Sequence, residues 1–287
     1  MDTGTPETAQ QIMPLPPGRK RHSPRARRVI FEPDGDGRLL SLIRNATFIS
    51  HRQLIEFGMQ QHIKATPSAI RLRIVRYLEH NLIQLVPAKT IHAGAVYQIT
   101  RWGLSALESF GIGISSISSE TENLPSAFQA PHFLDLNEVR LAFSKAPLLA
   151  RGEWVTDPEI KARNMTPLVP PFAKDYDAVV KLTDRNGQAF KIGLEYERTY
   201  KDVQRYDEIA QRIETEKQLC CVLYIASSSG LVARLIDSIR CPTFPLCVTA
   251  SGVLNQQTVD ATVGFMAGDI LRTCTLRQYL TALNHPL

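Results

Sequence analysis

An uninterrupted apolar run, LCCVLYIA at residues 219–226, is the feature that most constrains the fold of this chain. A run of this length, rich in branched residues, predicts a buried strand, and it is far shorter than the roughly 20 residues that a membrane-spanning helix needs. The composition agrees, because 44% hydrophobic and 21% charged residues are typical of a soluble globular protein. We therefore expect a chain with a buried sheet and no membrane partner.

Length and cysteine usage set further limits. The chain has 287 residues, enough for two ordinary domains. Its polar N-terminus lacks an apolar core segment, so no signal peptide is predicted. The five cysteines are odd in number and form no CxxC pair, which argues against structural zinc and against a disulfide framework. These observations predict a reduced, cytoplasmic setting.

Positive charge is concentrated in the N-terminal part. Residues 1–110 carry 15 Lys and Arg against 8 Asp and Glu, whereas the remainder carries 18 against 20. Proline and the absence of apolar periodicity predict a flexible basic tail over residues 1–30. Its six cations are Arg19, Lys20, Arg21, Arg25, Arg27 and Arg28. Two interpretations stay open: the tail follows a DNA backbone, or it only keeps the chain in solution.

The pattern of residues 31–110 predicts a winged helix-turn-helix. The run RLLSLIRNA is a short amphipathic helix, a second helix begins after Ser50 and ends at Gly58, and a third begins at Thr66 and Pro67. Two strand-like runs, LIQLVPA and AVYQIT, follow, and RWGLSALESFG closes the segment as a helix.

This arrangement predicts which residues contact DNA. The third helix would enter the major groove with Arg71, Arg73 and Arg76, with Arg76 projecting from the face opposite the buried stripe. Lys89 and His92 at the hairpin tip would contact the DNA backbone. The alternative is that the winged helix mediates protein contacts and that its arginines are only solvated.

The rest of the chain predicts a linker and a second domain. Residues 111–130 are rich in Ser and Gly and lack periodicity, which is typical of a linker. Residues 131–287 begin with a helix, HFLDLNEVRLAFSKA, and continue with a hairpin that turns at Asn186-Gly187. Further strands and helices alternate after it. The order predicts an α/β (α+β) domain with a mixed sheet.

Four residues of this second domain form a candidate site. Asp177 stands at the start of the first hairpin strand, and Glu195 and Glu197 stand near the end of the returning strand, AFKIGLEYE. Glu195 and Glu197 share a face because side chains alternate along a strand, and Asp177 approaches them from the paired strand. Lys201 follows about one helical turn into the next element.

Converging carboxylates repel each other unless they hold a cation, and carboxylate oxygens are the ligands that Mg²⁺ or Mn²⁺ prefers. We therefore predict a metal site at Asp177, Glu195 and Glu197. Such an ion can polarise a scissile phosphate of a nucleic acid, and Lys201 would lie near that phosphate. Alternatively, the two glutamates are the solvated face of an amphipathic strand, and Lys201 is an ordinary surface lysine or yields its role to Lys191.

Residues 196–206 add further candidates. Arg205 would contact a phosphate, and Tyr206 is expected to pack in the core. Tyr196 and Tyr200 are candidate nucleophiles if the reaction passes through a phosphotyrosine. Attack by hydroxide is favoured, because the sequence identifies no base for a tyrosine. No small-molecule cofactor is expected.

The spacing Asp177-x17-Glu195-x-Glu197-x3-Lys201 resembles the PD-(D/E)xK nuclease core, in which an Asp and a Glu bind the metal and a Lys completes the site. The standard pattern has its Lys two residues after the Glu, where this chain has Glu197. The variant spacing looks like that of the replication-relaxation family, which includes plasmid mobilisation relaxases with a restriction-endonuclease-like core. Tyrosine relaxases use His-x-His instead, and none of the seven histidines has that spacing.

The resemblance covers most of the chain and implies its function. It implies a winged helix that binds a transfer or replication origin and a restriction-endonuclease-like domain that nicks one DNA strand there. Other mobilisation or replication proteins are implied partners. Two other hypotheses stay open: a DNA-binding regulator whose nuclease-like domain is inactive, and a nuclease of a defence or toxin system.

Overall fold

The protein is a mixed α/β structure built around a seven-stranded sheet. The computed structural model describes residues 31–64, 66–87, 94–113, 124–145, 153–165, 171–183 and 187–284. The chain divides into two units, Met1–Phe31 and Glu32–Leu287. The second unit is compact and contains every element given below.

Four helices and a small sheet form the N-terminal part of this unit. The helices are α1 (Arg38–Ala46), α2 (His51–Gln60), α3 (Pro67–Glu79) and α4 (Arg101–Ser109). The strands are β1 (Ile49–Ser50), β2 (Ile83–Leu85) and β3 (Val96–Ile99), which pair antiparallel in the order β1-β3-β2. A π-helical turn, Pro33–Gly37, leads directly into α1.

The helix starts follow the predicted caps. The Ser50 side chain accepts a hydrogen bond from the Gln53 backbone, and the Gln53 side chain accepts one from the Ser50 backbone. Thr66 caps α3, whose first residue is Pro67. Two backbone donors at the start of α2 and one at the start of α3 are thus satisfied locally, and both predicted starts are confirmed.

The predicted end of α2 at Gly58 is wrong, because the helix continues to Gln60. A Cβ atom on Gly58 would lie only 2.7 Å from Ile70 Cδ1. This glycine therefore lets α2 approach α3 closely. Its place near a helix end is a matter of packing rather than of termination.

The large sheet has a parallel centre and antiparallel edges. Its strands are β4 (Glu153–Thr156), β5 (Ala178–Thr183), β6 (Ala189–Glu197), β7 (Cys221–Ala226), β8 (Leu246–Ala250), β9 (Thr262–Ala267) and β10 (Ile270–Thr275). They lie in the order β10-β9-β8-β7-β6-β5-β4. Strands β6, β7 and β8 are parallel, and every other neighbouring pair is antiparallel.

Helices cover both faces of the sheet. They are α5 (Ala130–Lys145), α6 (Asp157–Asn164), α7 (Val203–Ile213), α8 (Ser229–Ser238), α9 (Ser251–Gln257) and α10 (Leu276–Asn284). Leu223 and Ile225 of β7 pack with α5 and α10, whereas Val222 and Tyr224 pack with α7 and α8. The apolar run in the sequence is therefore the central strand, as its composition predicts.

The β5–β6 hairpin turns where the sequence predicts it. Gly187 has a φ of 83°, a left-handed conformation that favours glycine, while Asn186 lies outside the described residues. The returning strand β6 has the predicted bounds. Strands β4 and β10 and helices α6 and α9 were not predicted, because they are short or lack a clear period.

Helix α5 connects the N-terminal helices to the sheet. Its Asn137 side chain donates hydrogen bonds to the carbonyls of Ala46 and Phe48, at 3.3 and 2.8 Å. The Gln53 side chain of α2 donates to the Leu134 carbonyl at 2.8 Å. The parts of the chain before and after the predicted linker thus share one hydrophobic core. The division into domains at residues 111–130 stays a prediction. In the described part of the chain, no helix is both long and apolar enough to cross a membrane.

Candidate active site

The candidate site lies where β5 begins and β6 ends. Ala178 pairs with Leu194, so Asp177, one residue before β5, lies beside Glu195 in the same register. Leu194 and Tyr196 belong to the core beneath α5. Glu195 and Glu197 therefore point to the other face of the sheet, the one that α7 and α8 cover.

Both glutamates are buried, with exposed fractions of 6% for Glu195 and 4% for Glu197. The interpretation of this strand as a solvated outer face is therefore wrong. A buried carboxylate requires a partner, and each has one. Lys174 donates from its Nζ atom to Glu195 Oε1, and Lys201 donates to Glu197 Oε1.

These single ion pairs compensate the burial only in part. Burial raises the pKa of Glu195 to about 7, with Lys174 opposing the rise and Asp177 adding to it. Burial also raises the pKa of Glu197, against the hydrogen bond and charge of Lys201. Carboxylates with strongly raised pKa values are found preferentially at functional sites.

Asp177 lies in a different environment. Its Oδ2 atom accepts a hydrogen bond from the Tyr196 backbone at 2.7 Å, and its Oδ1 atom lies 3.2 Å from His132 Nε2. Burial alone would raise the pKa of Asp177, but the hydrogen bond and charge of His132 outweigh it and lower that pKa. The same pair raises the pKa of His132 despite the opposing effect of burial. Asp177 is therefore held as an ion.

The three carboxylates of the predicted metal site do not converge on one point in this arrangement. Asp177, Glu195 and Glu197 each contact a cationic or protonatable partner of their own. In the ranges that the structure describes, no group of three or more His, Cys, Asp and Glu side chains is placed to hold a metal ion. The donor chemistry does suit Mg²⁺ or Mn²⁺, since three carboxylates stand at adjoining strand ends.

Lys201 reaches the site from a connecting segment and not from a helix. Helix α7 begins at Val203, and Asp202 caps it by accepting a hydrogen bond from the Arg205 backbone at 2.8 Å. The expected position of Lys201 one turn into the helix is therefore wrong. The Lys201 side chain is 42% exposed while its ammonium contacts Glu197.

A cavity of about 250 Å³ opens beside Glu195. Four cationic and three acidic side chains and one apolar residue line it: Lys174, Lys201, Arg205, Arg212, Asp175, Glu195, Glu208 and Ile209. Arg205 donates to Glu208 Oε2 at 2.7 Å. A buried acid at the side of a basic cavity suits a phosphate group that is bound together with a cation.

A larger cavity, of about 580 Å³, lies elsewhere, beside α8 and the strands β8 and β9. Its lining is mostly apolar and contains a single carboxylate, Asp269. Size alone would favour it as a ligand site, but it lacks converging polar groups. The smaller cavity at Glu195 is the better candidate because it holds the perturbed carboxylate.

Residues expected to contact DNA through α3 have unequal environments. Arg71 is exposed. Arg73 and Arg76 turn their guanidinium groups to the fully buried Asp36, so the expectation that Arg76 projects freely is wrong. Tyr77 also donates to Asp36, at 2.7 Å.

This cluster explains the state of Asp36. Burial alone would raise the pKa of Asp36, but the hydrogen bond from Arg73, with those from the Glu32 backbone, Tyr77 and Arg76, lowers it. DNA contact by the α3 arginines stays a prediction. Lys89 and His92, and the six tail cations Arg19, Lys20, Arg21, Arg25, Arg27 and Arg28, lie outside the described residues.

The candidate tyrosine nucleophiles are held in packed surroundings. Burial raises the pKa of Tyr196 to about 12. The Tyr200 hydroxyl is hydrogen bonded to Ser238, and the Arg234 guanidinium lies 3.8 Å from the centroid of its ring. Tyr206 is fully buried, which confirms its expected place in the core.

Three residues at the site were not predicted: His132, Lys174 and Tyr224. Tyr224 pairs with Glu195 across β6 and β7, and its buried hydroxyl has no hydrogen-bond partner in the described part of the chain. Because the three come from separate elements, no local spacing connects them to the glutamates.

Comparison of the chain with protein-family models, with curated proteins and with solved structures found no significant match.

Proposed function

We propose that the site at the end of β6 cleaves DNA phosphodiester bonds with Mg²⁺ or Mn²⁺. The observation that carries this proposal is the buried Glu195, whose pKa is raised to about 7 beside a cavity lined by lysine and arginine side chains. A divalent cation would neutralise the acid, and the surrounding cations would bind the phosphate.

The residues divide into two groups in this proposal. Asp177 and Glu195 would hold the cation, with Glu197 as a further ligand. When bound, such an ion polarises the phosphate and lowers the pKa of a bound water. Lys201 and Arg205 bind the phosphate oxygens, and both line the cavity at Glu195.

We further propose that the N-terminal part selects the DNA. The helix order α1–α2–α3, the β2–β3 pair and the closing helix α4 support a winged helix, and the antiparallel β4–β5–β6 strands followed by the parallel pair β6–β7 support a restriction-endonuclease-like core. Arg71 and the basic residues 1–30 would contact the phosphate backbone. Nicking at a plasmid transfer or replication origin is the specific activity that we propose.

A supercoiled plasmid that carries a candidate origin tests the activity. With Mg²⁺ or Mn²⁺, wild type should convert it to the nicked circle, and Glu195→Gln should slow the conversion at least about a hundredfold. Glu153→Gln is the matched control, because Glu153 is an exposed glutamate on β4. Equal loss of activity in both variants, or an intact plasmid in every reaction, would contradict the proposal.

A second candidate function is that of a DNA-binding regulator without catalysis. The observation that favours it is that Glu195 and Glu197 are already paired with Lys174 and Lys201. Sequence-specific gel shifts, combined with no Mn²⁺ binding in calorimetry, would select this function over cleavage.

A further inference from the structure

Lys174 holds a position at the candidate site that its place in the sequence does not suggest. It lies in the segment before β5, three residues ahead of Asp177, and it is not part of the Asp177–Lys201 spacing. The site thus has two lysines from different segments. Their surroundings differ enough to assign them different roles.

Lys174 is the more enclosed of the two lysines. Its side chain is 12% exposed, against 42% for Lys201. Its ammonium contacts Glu195 and lies 5.1 Å from the centroid of the Tyr176 ring. An ammonium held between a carboxylate and an aromatic face is well positioned, because both interactions favour its charge.

The Lys174 charge also acts beyond its direct partner. It lowers the pKa of Asp177 and opposes the rise at Glu197, in addition to its effect on Glu195. One ammonium therefore acts on all three carboxylates, most strongly on Glu195. A divalent ion held by Asp177 and Glu195 would neutralise the same charge, so the two cations compete for one place.

The same side chain lines the cavity beside Glu195, together with Lys201 and Arg205. A lysine side chain has four methylene groups with rotatable bonds, so its ammonium can exchange one partner for another nearby. An ammonium that leaves Glu195 would enter a cavity already suited to phosphate.

We propose that Lys174 neutralises Glu195 in the cation-free protein and contacts the scissile phosphate once DNA is bound. The inference rests on the proposed function, since it assigns a residue to that same site. It makes Lys174 a catalytic residue beside Lys201, which pairs with Glu197 in the cation-free protein. It also explains how two buried glutamates are tolerated when no cation is present.

The test uses the full chain and two readouts. Mn²⁺ binding is measured by calorimetry without DNA, and plasmid nicking is measured with Mn²⁺. Lys174→Met should bind Mn²⁺ about tenfold more tightly, because the competing charge is gone. The same variant should nick at least about a hundredfold more slowly, because the phosphate loses a donor.

Three control variants separate this role from a structural one. Lys174→Arg retains the charge and should preserve the weaker Mn²⁺ binding of wild type. Lys201→Met removes the neighbouring lysine, and Lys181→Met removes an exposed lysine of β5. Both should change Mn²⁺ affinity less than Lys174→Met does. Thermal melting in the absence of metal confirms that each variant is folded.

The outcomes separate the two proposals. If wild type binds Mn²⁺ and nicks DNA while Lys174→Met does both equally well, the role of Lys174 is overturned and the proposed function stands. If Lys201→Met alone tightens Mn²⁺ binding, the lysine assignment is overturned as well. If wild type neither binds Mn²⁺ nor nicks DNA, both proposals fail together.

Discussion

Two buried carboxylates in this molecule, Asp36 and Glu195, have pKa values shifted in opposite directions. Asp36, in the turn Pro33–Gly37, has no exposed surface and receives hydrogen bonds from Arg73, Arg76 and Tyr77 of α3. Glu195, at the end of β6, is 6% exposed and contacts one ammonium. The pKa of Asp36 lies below its ordinary value, whereas that of Glu195 is raised to about 7.

The comparison teaches that burial alone does not identify a functional acid. At Asp36, the hydrogen bonds outweigh the effect of burial on the pKa. The carboxylate therefore stays charged and connects the turn to α3. At Glu195, a single lysine opposes the effect of burial only in part, so the pKa stays raised. A buried acid that is held as an ion and a buried acid whose pKa is raised are thus distinguished by the number of donors around them.

The largest expected effect comes from removing the charge of Asp36. Asp36→Asn should lower the free energy of unfolding by about 3 kcal/mol, because it leaves two guanidinium groups without their buried counter-charge. Urea unfolding measures the change. Asp34→Asn is the control, since Asp34 lies in the same turn and is exposed. Equal stability of the two variants would contradict a structural role for Asp36.

Acid should reveal the same link in wild type. Because the folded-state pKa of Asp36 lies below its ordinary value of 3.8, its contribution to stability is complete above that pH and is lost as pH falls through the folded-state value. Asp36→Asn should lack this part of the acid dependence. Unfolding curves between about pH 5 and pH 2 compare the two proteins.

The next effect has the opposite sign. The folded protein holds the Glu195 proton more tightly than the unfolded chain, so its contribution lowers stability as pH rises from the ordinary pKa of 4.5 to about 7. Without metal, Glu195→Gln should therefore lack this decline, which amounts to at least about 1 kcal/mol between pH 5 and pH 8 in wild type, and urea unfolding of both proteins measures it. An equal decline in the two proteins would contradict the raised pKa of Glu195.

The smallest effect compares two buried tyrosine hydroxyls. Tyr77 donates to Asp36, so Tyr77→Phe should lower the free energy of unfolding by about 1 kcal/mol. Tyr224 has no hydrogen-bond partner among the described residues, so Tyr224→Phe should leave stability unchanged or raise it by a few tenths of a kcal/mol. Urea unfolding of both variants measures the difference, and equal losses would remove the contrast between the two sites.

Local signals predicted much of the fold. Caps such as Ser50 and Thr66, the glycine of the β5–β6 turn and the apolar run of β7 act on neighbours in the chain, so their effect is readable there. The end of α2 was mispredicted because Gly58 makes room for a residue of another helix, Ile70, and does not end its own helix. Long-range packing of this kind leaves no local pattern.

The candidate site was predictable to a smaller extent. Strand alternation places Glu195 and Glu197 on one face and Asp177 near it, as expected. The partners of these acids were not foreseen, because Lys174 lies 21 residues before Glu195 and His132 lies 45 residues before Asp177. Which cation neutralises which acid depends on tertiary geometry alone.

Helix α5 limits how the protein can be divided. It is anchored to the N-terminal part through Asn137 and Leu134, and its first turn brings His132 to Asp177. A fragment that starts at residue 131 would contain every acid of the site but would strip α5 of those anchors. We expect residues 131–287, joined to another domain in place of α1 and α2, to lose the alignment of Asp177 first.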